Sequence, residues 1–340
     1  MWPGLVGKGD GAEPPIGLDT MLDLTTAARG EHGTRFDGVD LFLAEPHTPI
    51  DAGADEIAAL ADAVGSRGLV IGSCVAPVWP PVGGGEAMGD ADARRRFLDA
   101  VKRACTIARR LRELGVRPYG VVRIDSATST DAWVAAPEEN TARIVKTFQE
   151  ACEIAEGEGE RLAAEGEICW GGMHSWPAMV ETLERVGRPD RLGFQADMAH
   201  TLLYATGANA PEARLLPEEY DWSDKAALDR ALTLVAAVLR PWTIDLHVAQ
   251  SDGTVFGSGS HDKTGRHAMV GDPASRLDPV RHAGLWLRDA YGKPTKAVRH
   301  ITWDGCMFAN DVLLRQETWN AIITVMADVR AAHGWSEPHG

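Results

Sequence analysis

The sequence predicts an α/β protein in which residues 1–340 form a single domain, a (β/α)8 TIM barrel. Short apolar runs alternate with amphipathic segments along the chain, a pattern typical of parallel strands joined by helices. Acidic and imidazole side chains end several of these runs, where barrel strands carry functional residues. The longest Gly/Pro stretch, residues 79–85, is too short for an interdomain linker and is interpreted as a loop on the active face.

The apolar runs have the length of buried strands and are followed by glycine, proline or polar residues. Counting a three-residue remnant as the first, the predicted strands are residues 4–6, 39–43, 69–75, 118–124, 161–165, 192–197, 242–248 and 299–304. The clearest predicted helix is 91–114, in which apolar residues recur at three- and four-residue spacing and Gly115 follows as a stop signal. Two other helices are predicted at 225–239, followed by Pro241, and at 279–287, opened by Asp278.

An open, doubly wound sheet is the alternative architecture. Such a sheet usually carries a GxGxxG dinucleotide motif after its first strand, and the glycines at 7, 9 and 11 lack that spacing. The sequence also lacks the GxxxxGK[ST] phosphate-binding motif and the GxSxG nucleophile motif. The barrel is therefore favoured.

The composition excludes several classes of partner. A net charge of -15 argues against a nucleic-acid surface, because phosphate binding needs clustered lysine and arginine. No apolar run reaches the length of a membrane span, so we expect a cytoplasmic protein without membrane contacts, and homo-oligomerisation is left open. The cysteines have no CxxC spacing and are interpreted as structural thiols; they are Cys74, Cys105, Cys152, Cys169 and Cys306.

Four side chains at the ends of the last four predicted strands suggest a metal site. They are Glu165, Asp197, His247 and Asp304. Three carboxylates and one imidazole suit a hard or borderline divalent cation. We expect one divalent metal ion, with Mn²⁺ favoured and Mg²⁺, Co²⁺ and Zn²⁺ as alternatives. Taken singly, each residue has a structural alternative, since a strand-end aspartate often caps the next helix.

Three local motifs resemble the xylose-isomerase-like superfamily of TIM barrels. They are the LAAE of residues 162–165, the QADMAH of 195–200 and the DLH of 245–247, and the resemblance extends over most of the chain. This superfamily includes sugar isomerases, ketose 3-epimerases and inosose dehydratases, with AP endonucleases as more distant relatives. The chain departs from the pattern at its last strand, where Asp304 stands in place of the usual glutamate. A second departure is that no acidic residue closely follows His247.

The resemblance implies a role for each candidate residue. Glu165 would be a metal ligand and the general base, Asp197 and His247 would be ligands, and Asp304 would be a ligand and the second acid or base. His200 would hydrogen-bond the substrate oxygen that gains charge. Glu167 points to the same face of the strand as Glu165, so either glutamate could reach the metal; Glu165 is preferred and Glu167 is assigned to substrate binding.

Long loops follow predicted strands six and seven, at residues 204–222 and 251–267. Long loops on the active face of a barrel are typically lids or specificity elements. We therefore expect substrate contacts from His261, Arg266 and His267 in the second loop and from His174 after strand five. A solvated loop of mixed charge is the alternative.

The predicted function is that of a divalent-metal-dependent sugar isomerase or epimerase, acting on a keto-sugar or related polyol through an enediolate. The alternative is a metal-dependent lyase or dehydratase that eliminates a β-leaving group from an inosose or a 3-keto-glycoside. A phosphodiesterase of the AP endonuclease type is disfavoured by the net charge. A non-catalytic binding barrel would not need four convergent ligands.

Overall fold

The computed structural model describes residues 13–45, 47–256, 264–295, 298–305 and 308–333. Seven parallel strands form one sheet in chain order. The sheet strands are β1 Gly38–Phe42, β2 Val70–Val75, β3 Val122–Ile124, β4 Leu162–Glu165, β5 Leu192–Asp197, β6 Thr243–Val248 and β9 Thr302–Trp303. The predicted first strand at residues 4–6 lies outside the described residues. Strands β1 to β6 therefore correspond to predicted strands two to seven, and β9 corresponds to predicted strand eight.

The sheet is a nearly closed barrel, which confirms the predicted fold. Each strand of this sheet pairs with the next sheet strand along the chain, as in a (β/α)8 barrel. Between β1 and β9, the Thr302 hydroxyl donates a hydrogen bond of 2.8 Å to Asp40 Oδ2. That side-chain contact brings the first and last described strands together across the gap in the barrel.

Helices separate the sheet strands along the chain. They are α1 Leu18–Ala27, α2 Ala54–Gly65, α3 Ala91–Glu113, α4 Thr130–Trp133, α5 Pro137–Glu158, α6 Trp176–Val186, α7 Met198–Thr206, α8 Lys225–Leu239, α9 Pro279–Leu287, α10 Asn310–Leu313 and α11 Gln316–His333. The three helices expected from periodicity correspond to α3, α8 and α9. Asp90 and Asp278 cap α3 and α9 by accepting hydrogen bonds from backbone amides of the first turn.

The two faces of each strand differ in chemistry, since successive side chains point to opposite sides. Outward-facing residues such as Ala164 and Leu246 are apolar and belong to the main core. The inward-facing side chains include a polar set that makes contacts across the barrel. This set contains Asp40, Ser73, Arg123, Glu165, Asp197, Asp245, His247 and Thr302.

The loop after β6 has structure of its own. β7 (Val255–Phe256) and β8 (Thr264–Gly265) pair antiparallel, and a further bridge joins Gln250 to Ala268. The loop after β5 begins with α7 and continues through a short 3₁₀ turn at Pro211–Ala213. Both are long segments at the carboxyl ends of their strands.

No helix in the described part of the chain combines the length and apolar character needed to cross a membrane.

Four cysteines are free and buried: Cys74, Cys105, Cys152 and Cys169. Burial raises the pKa of the Cys74 thiol to about 11, so it is a neutral thiol at ordinary pH; Cys306 lies outside the described residues.

Candidate metal centre

Four strand ends bring Glu165, Asp197, His247 and Asp304 together. Glu165 and Asp197 are the last residues of β4 and β5, and Asp304 directly follows β9. His247 pairs in register with Asp197 across the β5–β6 ladder. Parallel strands end at the same edge of a barrel, so these side chains share its carboxyl end.

The four residues offer ligand atoms that all lie within 4.8 Å of one another. His247 Nδ1 lies 3.2 Å from Asp304 Oδ2, 3.6 Å from Asp197 Oδ2 and 3.9 Å from Glu165 Oε1. All four side chains are buried. A compact, buried set of three carboxylates and one imidazole carries a net negative charge that needs compensation.

The hydrogen bonding of this cluster fits a bound divalent cation. Within the described residues, neither oxygen of Glu165 accepts a hydrogen bond of regular geometry, and His247 Nδ1 has no hydrogen-bond partner. Arg123 Nη1 forms an ion pair with Glu165 Oε2 at 2.9 Å. Buried polar atoms are normally satisfied. A cation among these donors would satisfy them, and oxygen and imidazole donors suit Mg²⁺, Mn²⁺, Co²⁺ or Zn²⁺.

The two carboxylate oxygens of Asp197 have different partners: one caps a helix and the other faces the cluster. It is the N-cap of α7, and its Oδ1 accepts hydrogen bonds from the amides of Ala199 (2.7 Å) and His200 (3.1 Å). Because the cap holds Oδ1, Oδ2 is directed toward His247 and His267. Burial alone would raise the pKa of Asp197. The charges of His200 and His267 lower it by more than burial raises it, so the carboxylate stays ionised.

The His200 ring is held from both sides. Its Nδ1 lies 3.1 Å from the Thr264 hydroxyl, and its Nε2 lies 3.3 Å from Glu167 Oε1 and 3.6 Å from Glu165 Oε1. Burial opposes protonation, yet the charges of Asp197 and Glu167 raise the pKa of His200 above its ordinary value. A cationic His200 is suited to donate a hydrogen bond, or a proton, to an oxygen next to Glu165.

A second polar layer lies beside the cluster, and its central residue, Asp40, was missed by the sequence analysis. Asp40 accepts hydrogen bonds from the Ser73 amide (2.7 Å) and the Thr302 hydroxyl, and its Oδ1 lies 3.1 Å from His300 Nε2. Its Oδ2 lies 3.7 Å from His247 Nε2, on the opposite side of the ring from the candidate metal. A carboxylate behind a ligating histidine typically fixes the orientation and tautomer of the ring.

Arg123 and Asp125 are two further residues that the sequence analysis missed. Arg123 is a buried cation that reaches Glu165. Asp125 is buried just after β3, where it accepts a 2.7 Å hydrogen bond from Trp79 Nε1. Burial, reinforced by the charge of Glu165, raises the pKa of Asp125 well above its ordinary value. A charged residue inside the apolar predicted strand (Arg123), followed directly by another at its end (Asp125), was the available signal.

A cavity opens beside these residues. Its polar lining is provided by Asp40, Ser73, Arg123, His247, Thr302 and Asp304, and its apolar lining by Leu41, Phe42, Val75 and Trp303. Candidate metal ligands on one wall and aromatic rings on another suit a small molecule with both hydroxyl and C–H faces.

The predicted substrate-binding residues separate into distinct groups. Glu167 and His267 join the cluster, with His267 Nε2 at 3.4 Å from Asp197 Oδ2. His174 is buried and packs on Trp133, with ring centroids 4.5 Å apart. Arg266 makes ion pairs within its own loop. The His261 prediction lies outside the described residues.

Arg266 therefore has an observed structural role. Its Nη1 lies 2.7 Å from Asp252 Oδ2 and its Nη2 lies 3.5 Å from Asp272 Oδ2. These contacts hold the loop after β6 together, whereas the neighbouring His267 points into the barrel.

Comparison with known proteins identifies the family. The profile of the xylose isomerase-like TIM barrel family matches residues 28–307, more than half of the chain. The chain belongs to this family. No curated protein sequence matches it.

Several solved structures share the fold. A xylose isomerase domain protein from Planctomyces limnophilus is 13% identical with a TM-score of 0.54, covering 95% of this chain and 94% of its own. A xylose isomerase-like TIM barrel protein from Mycobacterium smegmatis, in complex with magnesium, is 13% identical with a TM-score of 0.55, covering 93% and 88%. A D-psicose 3-epimerase, solved in the presence of D-fructose, is 14% identical with a TM-score of 0.52, covering 88% of each chain.

Proposed function

We propose that this protein is a divalent-metal-dependent isomerase or epimerase of a small keto-sugar or related polyol, acting in the cytoplasm. The observation that carries the proposal is the convergence of Glu165, Asp197, His247 and Asp304 within 4.8 Å at the carboxyl end of the barrel. Membership of the xylose isomerase-like family supports it. So does the shared fold with a D-psicose 3-epimerase and with a magnesium complex.

The four converging residues would hold the cation. When bound, the ion would polarise the substrate carbonyl as a Lewis acid and stabilise the negative charge of an enediolate. Glu165 would take the proton from the carbon next to the carbonyl as general base. Its Oε2 forms an ion pair with Arg123, so Oε1, which faces His247 and His200, is the oxygen left to bind the ion and to take the proton.

Other residues of the cluster would manage the remaining protons and charges. His200, held by Thr264 and Glu167, would donate a hydrogen bond to the oxygen on which charge develops. In an epimerisation, Asp304 would pass a proton taken from solvent to the opposite side of the same carbon. Phe42 and Trp303 line the cavity and would pack against the C–H face of the sugar.

Deuterium incorporation tests the reaction class. The metal-loaded protein is incubated with a panel of ketoses, inososes and 3-keto-glycosides in D₂O, and products are followed by NMR and mass spectrometry. Proton transfer places solvent deuterium on a sugar carbon of a product that is otherwise isomeric with the substrate. Glu165→Gln should slow this exchange by about 10²–10⁴-fold while retaining the fold.

The same experiment separates the alternatives. Loss of water or an aglycone, with an unsaturated product absorbing in the ultraviolet, would establish the lyase reaction instead. Isomeric product without deuterium would indicate a hydride shift and remove the general-base role of Glu165. No turnover of any member of the panel by the metal-loaded protein would count against a carbohydrate substrate.

A further inference from the structure

We propose that His267 is an additional ligand of the same ion, so that the centre contains two imidazoles. This inference rests on the proposed metal-dependent function and extends it. His267 comes from the loop after β6, not from a strand end. It thereby makes that loop part of the metal centre.

His267 and His247 face the same two carboxylate oxygens. His267 Nε2 lies 3.4 Å from Asp197 Oδ2 and 3.8 Å from Asp304 Oδ2. His247 Nδ1 faces the same two oxygens at 3.6 and 3.2 Å. Ligand atoms about 2.1 Å from one ion, at angles of about 90–110°, are separated by roughly 3.0–3.5 Å. The two rings thus face the same two oxygens. Among the described residues His267 groups within 4.8 Å with Asp197 and His200, and Asp197 is the ligand that this group shares with the four-residue group containing His247.

The distances from His267 Nε2 to the two carboxylate oxygens are long for direct charge-assisted hydrogen bonds. Charge-assisted hydrogen bonds between nitrogen and a carboxylate usually span about 2.7–2.9 Å. The His267 side chain is completely buried, as is that of Asp197. A divalent ion bound by both side chains would place positive charge next to this buried carboxylate.

Backbone hydrogen bonds in the loop orient His267 toward the barrel interior. The Arg266 amide donates to Thr254 O at 3.0 Å, and the Ala268 amide donates to Gln250 O at 2.7 Å. His267 is therefore fixed on both sides by backbone hydrogen bonds. Successive residues of an extended segment alternate in direction, so Arg266 pairs outward with Asp252 while His267 faces the cluster.

Close packing positions this segment against the capped helix. A Cβ on Gly265 would lie only 2.8 Å from Ala199 O and 3.0 Å from Ala199 C. The absence of a side chain lets β8 approach the start of α7. In that position Thr264 contacts His200 and His267 reaches the Asp197 carboxylate that caps the same helix.

A second imidazole has a consequence for the metal. Mg²⁺ strongly prefers oxygen ligands, whereas Mn²⁺, Co²⁺ and Zn²⁺ accept imidazole nitrogen. A site with His247 and His267 should therefore prefer these transition metals over Mg²⁺ at equal concentration.

X-ray absorption at the zinc or cobalt edge tests the inference without using activity. The apo protein is loaded with one equivalent of Zn²⁺ or Co²⁺, and the outer-shell scattering gives the number of bound imidazoles. We expect two imidazoles in the wild type and one in His267→Gln. Chelator competition should show at least about tenfold weaker Zn²⁺ binding in the variant, on the scale seen when groups supporting a metal site are removed.

His282→Gln is the matched control. His282 is also a buried histidine near one carboxylate, with Nε2 at 3.1 Å from Asp229 Oδ1, but it lies between α8 and α9. It should retain two imidazoles and wild-type affinity. A single imidazole in the wild-type spectrum, or two ions bound per chain, would overturn the inference and leave the proposed function standing. Failure to bind any divalent ion would instead overturn the proposed function itself.

Discussion

At the scale of single residues, Glu165 and Glu167 have similar surroundings and different expected roles. Both approach His200 Nε2, at 3.6 and 3.3 Å, but Glu165 alone groups with Asp197, His247 and Asp304. We predict that Glu165→Gln lowers kcat by about 10²–10⁴-fold, because loss of a general base typically costs that much. Glu167→Gln should cost less. Steady-state kinetics on the two variants would reverse this ranking if Glu167 were the base.

Asp40 offers a second prediction at the residue scale. Its carboxylate lies behind His247, at 3.7 Å from Nε2, so it should hold the ring with Nδ1 toward the metal. We predict that Asp40→Asn weakens metal binding by about 10–100-fold, the usual effect of losing such a partner. Isothermal titration with Mn²⁺ measures the change.

Asp245→Asn is the control for that measurement. Asp245 belongs to the same buried layer, but its closest contacts are the Ser73 hydroxyl at 3.0 Å and His300 at 3.5 Å. Its loss should therefore affect stability more than metal affinity. Equal losses of affinity in the two variants would show that the layer acts through general packing.

At the scale of elements, Gly265 is the residue on which the close contact between β8 and α7 depends. An added Cβ would meet Ala199 O at 2.8 Å, and overpacking of this kind typically costs about 1–3 kcal/mol. We predict that Gly265→Ala shifts β8, weakens metal binding and lowers kcat together. Gly157→Ala in α5 is the control, since its Cβ would meet nothing within 4 Å. It should stabilise the helix by about 0.5–1 kcal/mol.

Strands and helices could be predicted from the sequence because their periodicity is local. The seven longer predicted strands all correspond to sheet strands, and α3, α8 and α9 begin where expected. The strand-end rule also grouped Glu165 with Asp197 correctly in space. Loop geometry depends on long-range contacts, so the sequence could not show that Arg266 pairs with Asp252 while His267 faces the barrel.

The residues missed from the sequence share one physical cause. Asp40 and Arg123 sit within strands, and their roles arise only when distant strands meet, as in the contact of Arg123 with Glu165. A charge inside an apolar strand is an anomaly that a local pattern cannot interpret. In a barrel, such a charge points to a polar interior and is therefore informative about function.

At the scale of the whole molecule, the coupled charges of the centre predict how stability depends on pH. Burial opposes protonation of His247, but the nearby carboxylates of Asp197, Asp304 and Asp40 raise its pKa well above the ordinary value. Burial likewise tends to raise the pKa of Asp304, yet the nearby imidazoles of His267 and His247 lower it well below its ordinary value. In the metal-free protein these groups stabilise one another as ion pairs.

The direction of each shift fixes the expected pH profile. A raised histidine pKa contributes stability below its unfolded value of about 6.5, which is lost as pH rises through the folded pKa. A lowered aspartate pKa contributes stability above about 3.9, which is lost as pH falls through the folded pKa. Burial is the main reason that the pKa of Glu165 is raised. A raised carboxyl pKa likewise makes the folded protein more stable at lower pH. The metal-free protein should therefore lose stability as pH rises above about 6.5.

A bound cation should reverse this dependence, because it must displace the proton from His247. We predict that, with chelator present, Tm falls between about pH 6 and pH 8.5, while the increase in Tm caused by Mn²⁺ grows over the same interval. Differential scanning calorimetry with and without metal measures both. His247→Gln should flatten the two curves, since it removes the titrating group and a ligand together. A chelated protein whose Tm rises over this interval would show that the Asp197–His247–Asp304 cluster does not hold a proton in the metal-free state.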